Sequence, residues 1–391
     1  MKFGKAFIKQ LFFYGALLLS GCEEAPLVSG KLDGAAAAHI PKMVDVGALK
    51  KNNSYYIQFS EGQSYPLEYN TYGLFVPTEP IEADAAWEVH ASESSSDLKS
   101  ANRNGLLTIS NESGPILSFA TEARLPSETT PAYYARDGFI HPFYSPSGVK
   151  LTEAYPRGHT HQHGIFHAWT RSTIKGQMID FWNQQAQLGT IRLTQVGEVK
   201  HGSVVTSFDA DLEYLAYIDT DTIVAARENW TVSVYPGSPK VNMIEITIRH
   251  RPVVDSLILN EYHYGGFGIR ATDEWNMEGT SLSPYDSLAY VKTSLGDNHA
   301  DANHTRPTWV SMWGEIKGQT AGLTVFPHPA NFRYPQPVRV HPSMPYFTFA
   351  PMVLGEFALT PEDLYVSRYL LISYDGEPDE ELIAQVRESY K

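Results

Sequence analysis

Apolar and polar positions alternate in short runs through most of the chain, and clusters of Gly, Asn, Ser and Pro separate the runs. β-branched and aromatic residues dominate these runs. A period of two residues, interrupted at regular intervals by turn residues, is typical of antiparallel strands and not of strand–helix–strand units. In the middle of the chain the runs recur at intervals of about ten to eighteen residues, at 191–196, 204–208, 222–226, 230–235 and 241–248.

The same pattern begins earlier and ends in a helix. Shorter alternating runs, such as 54–59 and 106–109, predict hairpins in an N-terminal β region over 44–131. We expect the main β-sandwich domain to occupy 132–391. The sequence also predicts a short C-terminal helix, with Pro378 just inside its start, three acids in its first turn and then an apolar stripe. The predicted fold class is therefore all-β, a large antiparallel β-sandwich of the supersandwich kind with a short C-terminal helix.

The first residues are typical of a lipoprotein signal peptide. Three lysines precede an apolar run at 11–19, and the run ends in Leu-Ser-Gly-Cys at 19–22. This run is shorter than the roughly 20 residues that a membrane-spanning helix needs. We therefore expect a signal peptide over 1–21, lipidation at Cys22 and a tether over 22–43. These features predict a lipid-anchored protein of the cell envelope, either periplasmic or on the outer-membrane surface.

Charge and cysteine content narrow the possible partners. The formal net charge is −14, and removal of the signal peptide with its three lysines would change it to −17. Such a chain repels nucleic acid and anionic lipid, so we expect the lipid anchor to make its only membrane contact. A small acidic substrate stays compatible if arginines gather locally. A single cysteine also excludes a disulfide framework.

The stretch 157–169 is the first candidate for chemistry. If it is extended, His159, His161 and His163 point to one side, because alternate residues of a strand share a face. Imidazoles in such a row suit ligand binding or proton transfer, and alternate histidines can also share one metal ion. The sequence requires no cofactor. A divalent metal at these three histidines stays open, because no spacing identifies a further ligand.

Three other groups combine reactive side chains with turn residues. If the segment before Gly265 is a strand, it carries Glu261 and His263 on one face, as either a functional pair or a structural ion pair. The segment 326–335 holds His328, Asn331 and Arg333 in a loop stiffened by prolines, which either binds a ligand or braces itself.

Aromatic residues and possible nucleophiles are the last candidates to consider. Trp169, Trp182 and Tyr264 are plausible sugar-stacking surfaces, although a lone aromatic is more often part of a core. His167, near Trp169, is more often structural. No serine lies in a Gly-x-Ser-x-Gly turn, and the one thiol is at the lipidation position. Acyl-enzyme chemistry is therefore disfavoured.

At these residues the chain resembles a bacterial family labelled "methane oxygenase PmoA". The resemblance covers about 133–390 and depends on the order of several motifs. The family usually reads close to Asp-His-Pro-His-His-Arg-Gly at the central element, where this chain has Gly-His-Thr-His-Gln-His-Gly at 158–164. The division of roles within that element therefore stays open. The matching segments are His141 to Gly148, the His159-x-His161 element closed by Gly164 and Trp169, Glu228-x-Trp230, Gly265 to Arg270, His328-Pro329-x-Asn331, and Tyr369 to Gly376.

The resemblance implies a large β-sandwich that acts in polysaccharide breakdown. It implies a carbon–oxygen lyase, a dehydratase that removes water from the non-reducing uronic acid of ulvan-type oligosaccharides to give a 4,5-unsaturated uronate. Such elimination needs a base, an acid and a cation that neutralises the sugar carboxylate. The sequence offers His161 and His163 as the proton-handling pair, with Tyr262 or His263 as substitutes. Arg270 or Arg333 would bind the carboxylate.

Two rival functions stay open from the sequence. A glycoside hydrolase would need two carboxylates separated by roughly 5–5.5 or 6.5–9.5 Å, and Glu261 has no evident partner. A non-catalytic carbohydrate-binding lipoprotein would fit if the aromatic residues form an exposed row and the histidines are scattered.

Overall fold

The computed structural model describes residues 26–50, 54–69, 72–92, 97–236, 238, 240–276, 288–296 and 299–390. The expected signal peptide and Cys22 lie outside these residues. Within them the structure is built from antiparallel strands, which confirms the predicted all-β class. The first strands are β1 Val28–Lys31, β2 Lys42–Val44, β3 Ser54–Phe59, β4 Ser64–Tyr69, β5 Gly73–Phe75, β6 Ala86–Ser92, β7 Lys99–Arg103, β8 Leu106–Asn111 and β9 Gly114–Ala120.

The remaining strands follow in two groups with short helical turns between them. The first group is β10 Ile140–Phe143, β11 Ile165–Ala168, β12 Ser172–Ile174, β13 Gln177–Ile179, β14 Gly189–Val196, β15 Lys200–His201, β16 Thr206–Ile218, β17 Asp221–Tyr235 and β18 Val241–Pro252. The second is β19 Leu257–Leu259, β20 Gly266–Arg270, β21 Tyr290–Thr293, β22 Val310–Ile316, β23 Gln319–Pro327, β24 Val338–Val340, β25 Tyr346–Phe349, β26 Phe357–Leu359 and β27 Tyr365–Asp375. The helices are α1 His299–Ala302 and α2 Glu380–Ser389, with 3-10 turns at Ala132–Tyr134, Gln184–Ala186, Asp273–Trp275 and Pro351–Leu354.

Two large sheets form the sandwich. The front sheet has the order β24-β25-β20-β11-β10-β9-β8-β7, and the back sheet has the order β14-β16-β17-β18-β27-β23-β22-β21, with β15 beside β16. Aromatic rings join them: Phe267 of the front sheet stacks on Tyr369 of the back sheet with ring centroids 4.0 Å apart. Phe119 similarly meets Phe208 at 5.3 Å. Burial of these large rings between the sheets provides the main hydrophobic core.

A smaller N-terminal sheet has the order β1-β6-β3-β4-β5-β2 and its own apolar core around Trp87 and Phe59. This arrangement changes the expected boundaries in two places. The segment expected to be a tether contains β1, which pairs with β6 from Val28 to Lys31. Strands β7 to β9, expected to belong to the N-terminal region, are instead part of the front sheet, because β9 pairs with β10.

Strand alternation decides which side chains of the front sheet face inward. Phe267 faces the back sheet. Because successive residues of a strand point to opposite faces, Gly268 and Arg270 lie on the outer face. The register pairs Arg270 with Tyr346 and Gly268 with Thr348, which places these residues on the same outer face. The pairing of Arg339 with Thr348 adds Arg339 to that face.

The C-terminal helix α2 begins at Glu380, two residues after Pro378. Asp379 is the N-cap, and its carboxylate accepts hydrogen bonds from the backbone N–H groups of Glu381 and Leu382 at 3.0 and 3.1 Å. Pro378 therefore lies before the helix and not inside its first turn. Ile383 and Val386 are buried against the back sheet. In the part of the chain that the structure describes, no helix combines the length and the apolar character needed to cross a membrane.

Candidate functional site

A cavity of about 190 Å³ lies on the outer face of the front sheet. Its volume is on the order of one sugar ring. The lining combines four imidazoles, three aromatic rings, two amides, one guanidinium and one thioether, and none of the described lining residues is Asp or Glu. They are His159, His161, Gln162, Trp182, Asn183, His263, Tyr264, Arg339, His341, Met344 and Tyr346.

A glycine in the sheet makes room for the aromatic floor. Trp182 is fully buried and its ring lies 4.6 Å from that of Phe166. A Cβ added at Gly268 would lie 3.0 Å from both the Trp182 ring and the Phe166 ring, closer than ordinary contact. Trp182 therefore lies directly on the backbone of β20, and any larger residue at 268 would push it into the cavity.

The turn that carries Trp182 is fixed by a carboxylate. Asp180 Oδ1 accepts hydrogen bonds from the backbone N–H groups of Trp182 and Asn183 at 2.9 and 2.8 Å. The Asn183 amide in turn donates to the Tyr264 hydroxyl at 2.9 Å, and that hydroxyl lies 3.1 Å from Asn183 Oδ1. Burial raises the pKa of Tyr264 to about 12, although its hydrogen bond with Asn183 opposes the rise. Tyr264 is thus a positioned, protonated phenol beside the cavity.

His159 and His161 lie on consecutive turns and not on a strand, which corrects the expectation of an extended stretch. The backbone N–H of His159 donates to Pro156 O at 3.1 Å, and that of Gln162 donates to His159 O at 2.9 Å. Strand β11 begins only at Ile165. These turns place the two rings 5.8 Å apart, and His341 lies 6.0 Å from His159 on the other side. Three imidazoles therefore meet at the cavity.

The environment keeps these imidazoles neutral near pH 7. Burial, and then the neighbouring His159, lowers the pKa of His161 to about 4. Burial also lowers the pKa of His341 to about 4, with Arg339 contributing. The pKa of His159 is lowered by burial and by Arg270. A neutral imidazole can accept a proton, so the cavity offers bases and not imidazolium acids.

His163 does not join the other two histidines, contrary to the expectation of a common face. Its ring is fully buried beside Phe139 and Phe166, with centroid distances of 5.0 and 5.9 Å. Its Nε2 lies 3.1 Å from Gln184 Oε1. The trio considered for a metal is therefore not assembled. No group of three His, Cys, Asp or Glu side chains in the described residues has the arrangement of a metal site.

Neither arginine expected to bind a carboxylate lines the cavity. Arg270 is fully buried and forms an ion pair with Asp273. Arg333 donates to the carbonyls of Pro351 and Gly355 at 2.8 and 2.7 Å, which braces a different loop. Arg339 is instead the guanidinium that lines the cavity, and its Nη1 donates to Asn303 Oδ1 at 2.9 Å.

The remaining loop residues are also remote from the histidines. Asn331 accepts a hydrogen bond from Arg368 N and donates to Arg368 O, both at 2.8 Å. His328 accepts from Ala330 N at 3.0 Å, and its ring meets that of Tyr390, the residue that follows α2. The loop thus supports the back sheet and the C-terminal helix, as in the self-bracing alternative.

The segment before Gly265 is irregular, so Glu261 and His263 do not share a strand face. Glu261 is exposed and does not line the cavity. His263 is exposed at the rim, where its ring lies 4.2 Å from Tyr262 and 4.8 Å from Tyr264. Tyr262 itself does not line the cavity, and its ring packs against that of His263.

Trp169 belongs to the interior, which excludes it as a sugar-stacking surface in this structure. It has no exposed area, and its ring lies 4.7 Å from His167 and 6.1 Å from His250. Both histidines share one carboxylate: their Nδ1 atoms lie 2.8 and 2.9 Å from Glu228 Oε2. The Glu228 cluster lies between the two sheets, away from the cavity.

The residues predicted from the sequence do not include Arg339, His341 or Asn183, which all line the cavity. A weak signal existed for two of them, because 338–341 alternates apolar and basic residues and so predicts that Arg339 and His341 share a face. Nothing in the sequence indicates that this edge strand lies beside the turn at 159–162.

The fold and site define a β-sandwich protein with a histidine-rich and aromatic cavity on one outer sheet face. The chain belongs to a family described as a family of unknown function, DUF6807, whose model matches residues 107–388. No curated protein sequence gives a significant match.

Similar solved structures are distant. A GalM/aldose epimerase homologue from C. elegans is 10% identical, with 73% of this chain and 100% of that chain covered and a TM-score of 0.32. A TPR-domain containing protein from Parabacteroides distasonis is 11% identical, with 90% of this chain and 56% of that chain covered and a TM-score of 0.20. At these scores the likenesses carry no inference about activity.

Proposed function

We propose that this protein is a hydro-lyase that removes water from the terminal uronic acid of an acidic oligosaccharide. The observation that carries the proposal is the composition of the cavity: neutral imidazoles, a held phenol and one guanidinium surround a space for a single sugar ring. Elimination beside a carboxylate needs these three kinds of group.

Arg339 is the group that binds the sugar carboxylate. The proton at C5 is acidic only when the negative charge that builds up on the adjacent carboxylate is stabilised. A guanidinium offers two parallel N–H donors to that carboxylate. The hydrogen bond from Arg339 to Asn303 orients the guanidinium before the substrate arrives, which lowers the entropic cost of binding.

His161 is the base that takes the C5 proton. It lines the cavity, and its lowered pKa keeps it unprotonated near pH 7. A pKa near 4 also makes it a weak base in the empty site. The substrate carboxylate counteracts this, because it adds negative charge to the cavity that His161 lines. Binding of the correct substrate therefore raises the basicity of His161.

Tyr264 is the acid that protonates the departing hydroxyl. As the C5–H bond breaks, its proton passes to His161 and its electron pair forms the C4=C5 double bond. The C4–O bond breaks, and the hydroxyl takes the phenolic proton of Tyr264 and leaves as water. The proton on His161 then returns to the Tyr264 phenolate through solvent. Trp182 and Tyr346 form the apolar floor of the cavity beneath the sugar.

The absence of carboxylates from the described lining disfavours a glycoside hydrolase. Both usual hydrolytic mechanisms need a pair of Asp or Glu side chains at the scissile bond.

We also propose that the enzyme acts in the cell envelope, anchored through a lipid on Cys22. The apolar run and the Leu-Ser-Gly-Cys sequence at 19–22 support this location. Globomycin, which blocks lipoprotein signal processing, would then leave the precursor uncleaved, whereas a mature chain formed in its presence would contradict the anchor.

The activity is tested with purified protein and uronate-ended oligosaccharides. A conjugated 4,5-unsaturated uronate absorbs in the ultraviolet, so elimination gives rising absorbance without new reducing ends. New reducing ends without that absorbance would indicate hydrolysis and refute the proposal. Binding with neither change would favour a carbohydrate-binding protein.

A further inference from the structure

The rim of the cavity carries one guanidinium, that of Arg171, that the proposed elimination does not use. Arg171 is exposed, and its guanidinium lies 4.6 Å from the centroid of the Tyr262 ring. Tyr262 contacts His263, which lines the cavity. His304 lies on the other side, with its Nε2 3.3 Å from His263 O. A line of side chains therefore runs outward from the cavity to Arg171.

The charges that act on His263 all have one sign. Burial lowers the pKa of His263, and Arg339, His304 and Arg171 lower it further. This local excess of positive charge contrasts with the net charge of −14 of the whole chain. A protein with such a net charge repels an acidic oligosaccharide at long range, so a positive rim compensates where the substrate enters.

The cavity volume of about 190 Å³ is on the order of one sugar ring, so the second sugar of an oligosaccharide is expected to lie at the rim. The stacking of Arg171 on Tyr262 holds its guanidinium in place without using its hydrogen-bond donors. Those donors are therefore available to an anionic group of a sugar that lies beside the rings of Tyr262 and His263.

We infer that Arg171, Tyr262 and His263 form a second sugar-binding subsite that selects an anionic group, a carboxylate or a sulfate ester, on the sugar next to the terminal uronate. The inference rests on the proposed function for the orientation of the substrate. It adds that the enzyme recognises a polyanionic chain and not merely one terminal acid.

Three disaccharides test the subsite, each with a terminal uronate and with a second sugar that is neutral, carboxylated or sulfated. Arg171→Gln should raise the KM or Kd for the charged disaccharides about two- to fivefold, the effect of one exposed charge pair. The values for the neutral one should not change, and kcat should stay at the wild-type level. Comparison of the two charged probes shows which anion is preferred.

Arg103→Gln is the matched control, because Arg103 is also exposed but lies on β7 at the opposite edge of the front sheet from β24. If Arg171→Gln loses affinity equally for the charged and the neutral disaccharides, or loses none, the subsite is refuted. Turnover by the wild-type protein would still support the elimination in that case. If calorimetry shows that the charged disaccharides bind more tightly than the neutral one but none is turned over, the elimination is refuted and the subsite is supported. Failure to bind any of the three refutes both.

Discussion

The imidazole rings of His159 and His341 both line the cavity and meet edge to face, with their centroids 6.0 Å apart. His159 comes from a turn before β11, and His341 directly follows β24, so the site exists only when the front sheet has assembled β11, β20, β25 and β24 side by side. His161 lies on the same turn, 5.8 Å from His159. The predictions below depend on this arrangement.

His161 and His163 should respond differently to substitution. His161→Gln removes the proposed base from a partly exposed position, so kcat should fall by roughly 10²- to 10⁴-fold with little change in Tm. His163→Ala removes a fully buried ring and leaves Gln184 without its partner, which should lower the free energy of unfolding by about 2–4 kcal/mol. Urea unfolding and steady-state kinetics distinguish the two effects. Equal loss of turnover at unchanged stability in both variants would return His163 to the mechanism.

Arg339→Gln should weaken binding of acidic substrates and slow the reaction. A charged hydrogen bond to a carboxylate contributes about 1.5–3 kcal/mol, so kcat/KM should fall by roughly 10- to 100-fold. Arg339→Lys keeps the charge and loses the paired donors, and it should recover only part of this loss. Full activity of Arg339→Gln on an acidic substrate would show that another cation binds the carboxylate.

The pH dependence of kcat/KM should show an acid limb near pH 4. The proposed base is active only as neutral imidazole, and the pKa of His161 in the free enzyme is lowered to about 4. Activity should therefore be nearly constant from about pH 6 to 8 and fall only when the pH approaches that pKa. A limb near pH 6.5 would show that the base is a histidine of ordinary pKa.

Stability should fall over a related pH range, for a separate reason. His141, His161 and His341 have pKa values lowered from 6.5 to about 4 by burial. The unfolded chain therefore binds more protons than the folded one between these values. Their contribution to stability is complete above pH 6.5 and is lost as the pH falls toward 4. Thermal unfolding at pH 7 and pH 4.5 should show a lower Tm at pH 4.5, and kinetics below pH 5 need this control.

The Glu228 cluster should be essential for folding and not for chemistry. Burial opposes ionisation of Glu228, but His167 and His250 outweigh it and hold the pKa of the carboxyl below its ordinary value. Glu228→Gln leaves these buried groups poorly paired and should cost about 3–5 kcal/mol. Glu213→Gln on the neighbouring strand β16, which pairs with exposed Arg192 and Arg227, should cost less than about 1 kcal/mol. Chemical denaturation provides both values.

The back sheet follows from local patterning because its strands are long and alternate regularly. The run at 241–248 lies within β18, and that at 191–196 lies within β14. The runs at 222–226 and 230–235 form one continuous strand, β17, because the residues between them also pair with β16. Turn residues indicate where a strand can end, whereas pairing with its neighbours decides where it does end.

The site follows from local patterning only in part. His159, His161 and His263 were identified because reactive residues are dense around them, but alternation in 159–163 predicted a strand where hydrogen bonds form turns. Arg339 enters the cavity through its pairing with Thr348 and the neighbouring β20, a relationship between distant segments. Sequence spacing cannot choose between Arg270, Arg333 and Arg339, because burial and pairing of each depend on the assembled sheets.

The most direct test of the central claim is the mass of the product from a purified uronate-ended oligosaccharide. The wild-type protein should yield an oligosaccharide of the same number of sugars that has lost the mass of one water, while His161→Gln should leave the substrate intact. A shortened oligosaccharide, or an unchanged substrate with the wild-type protein, would contradict the account.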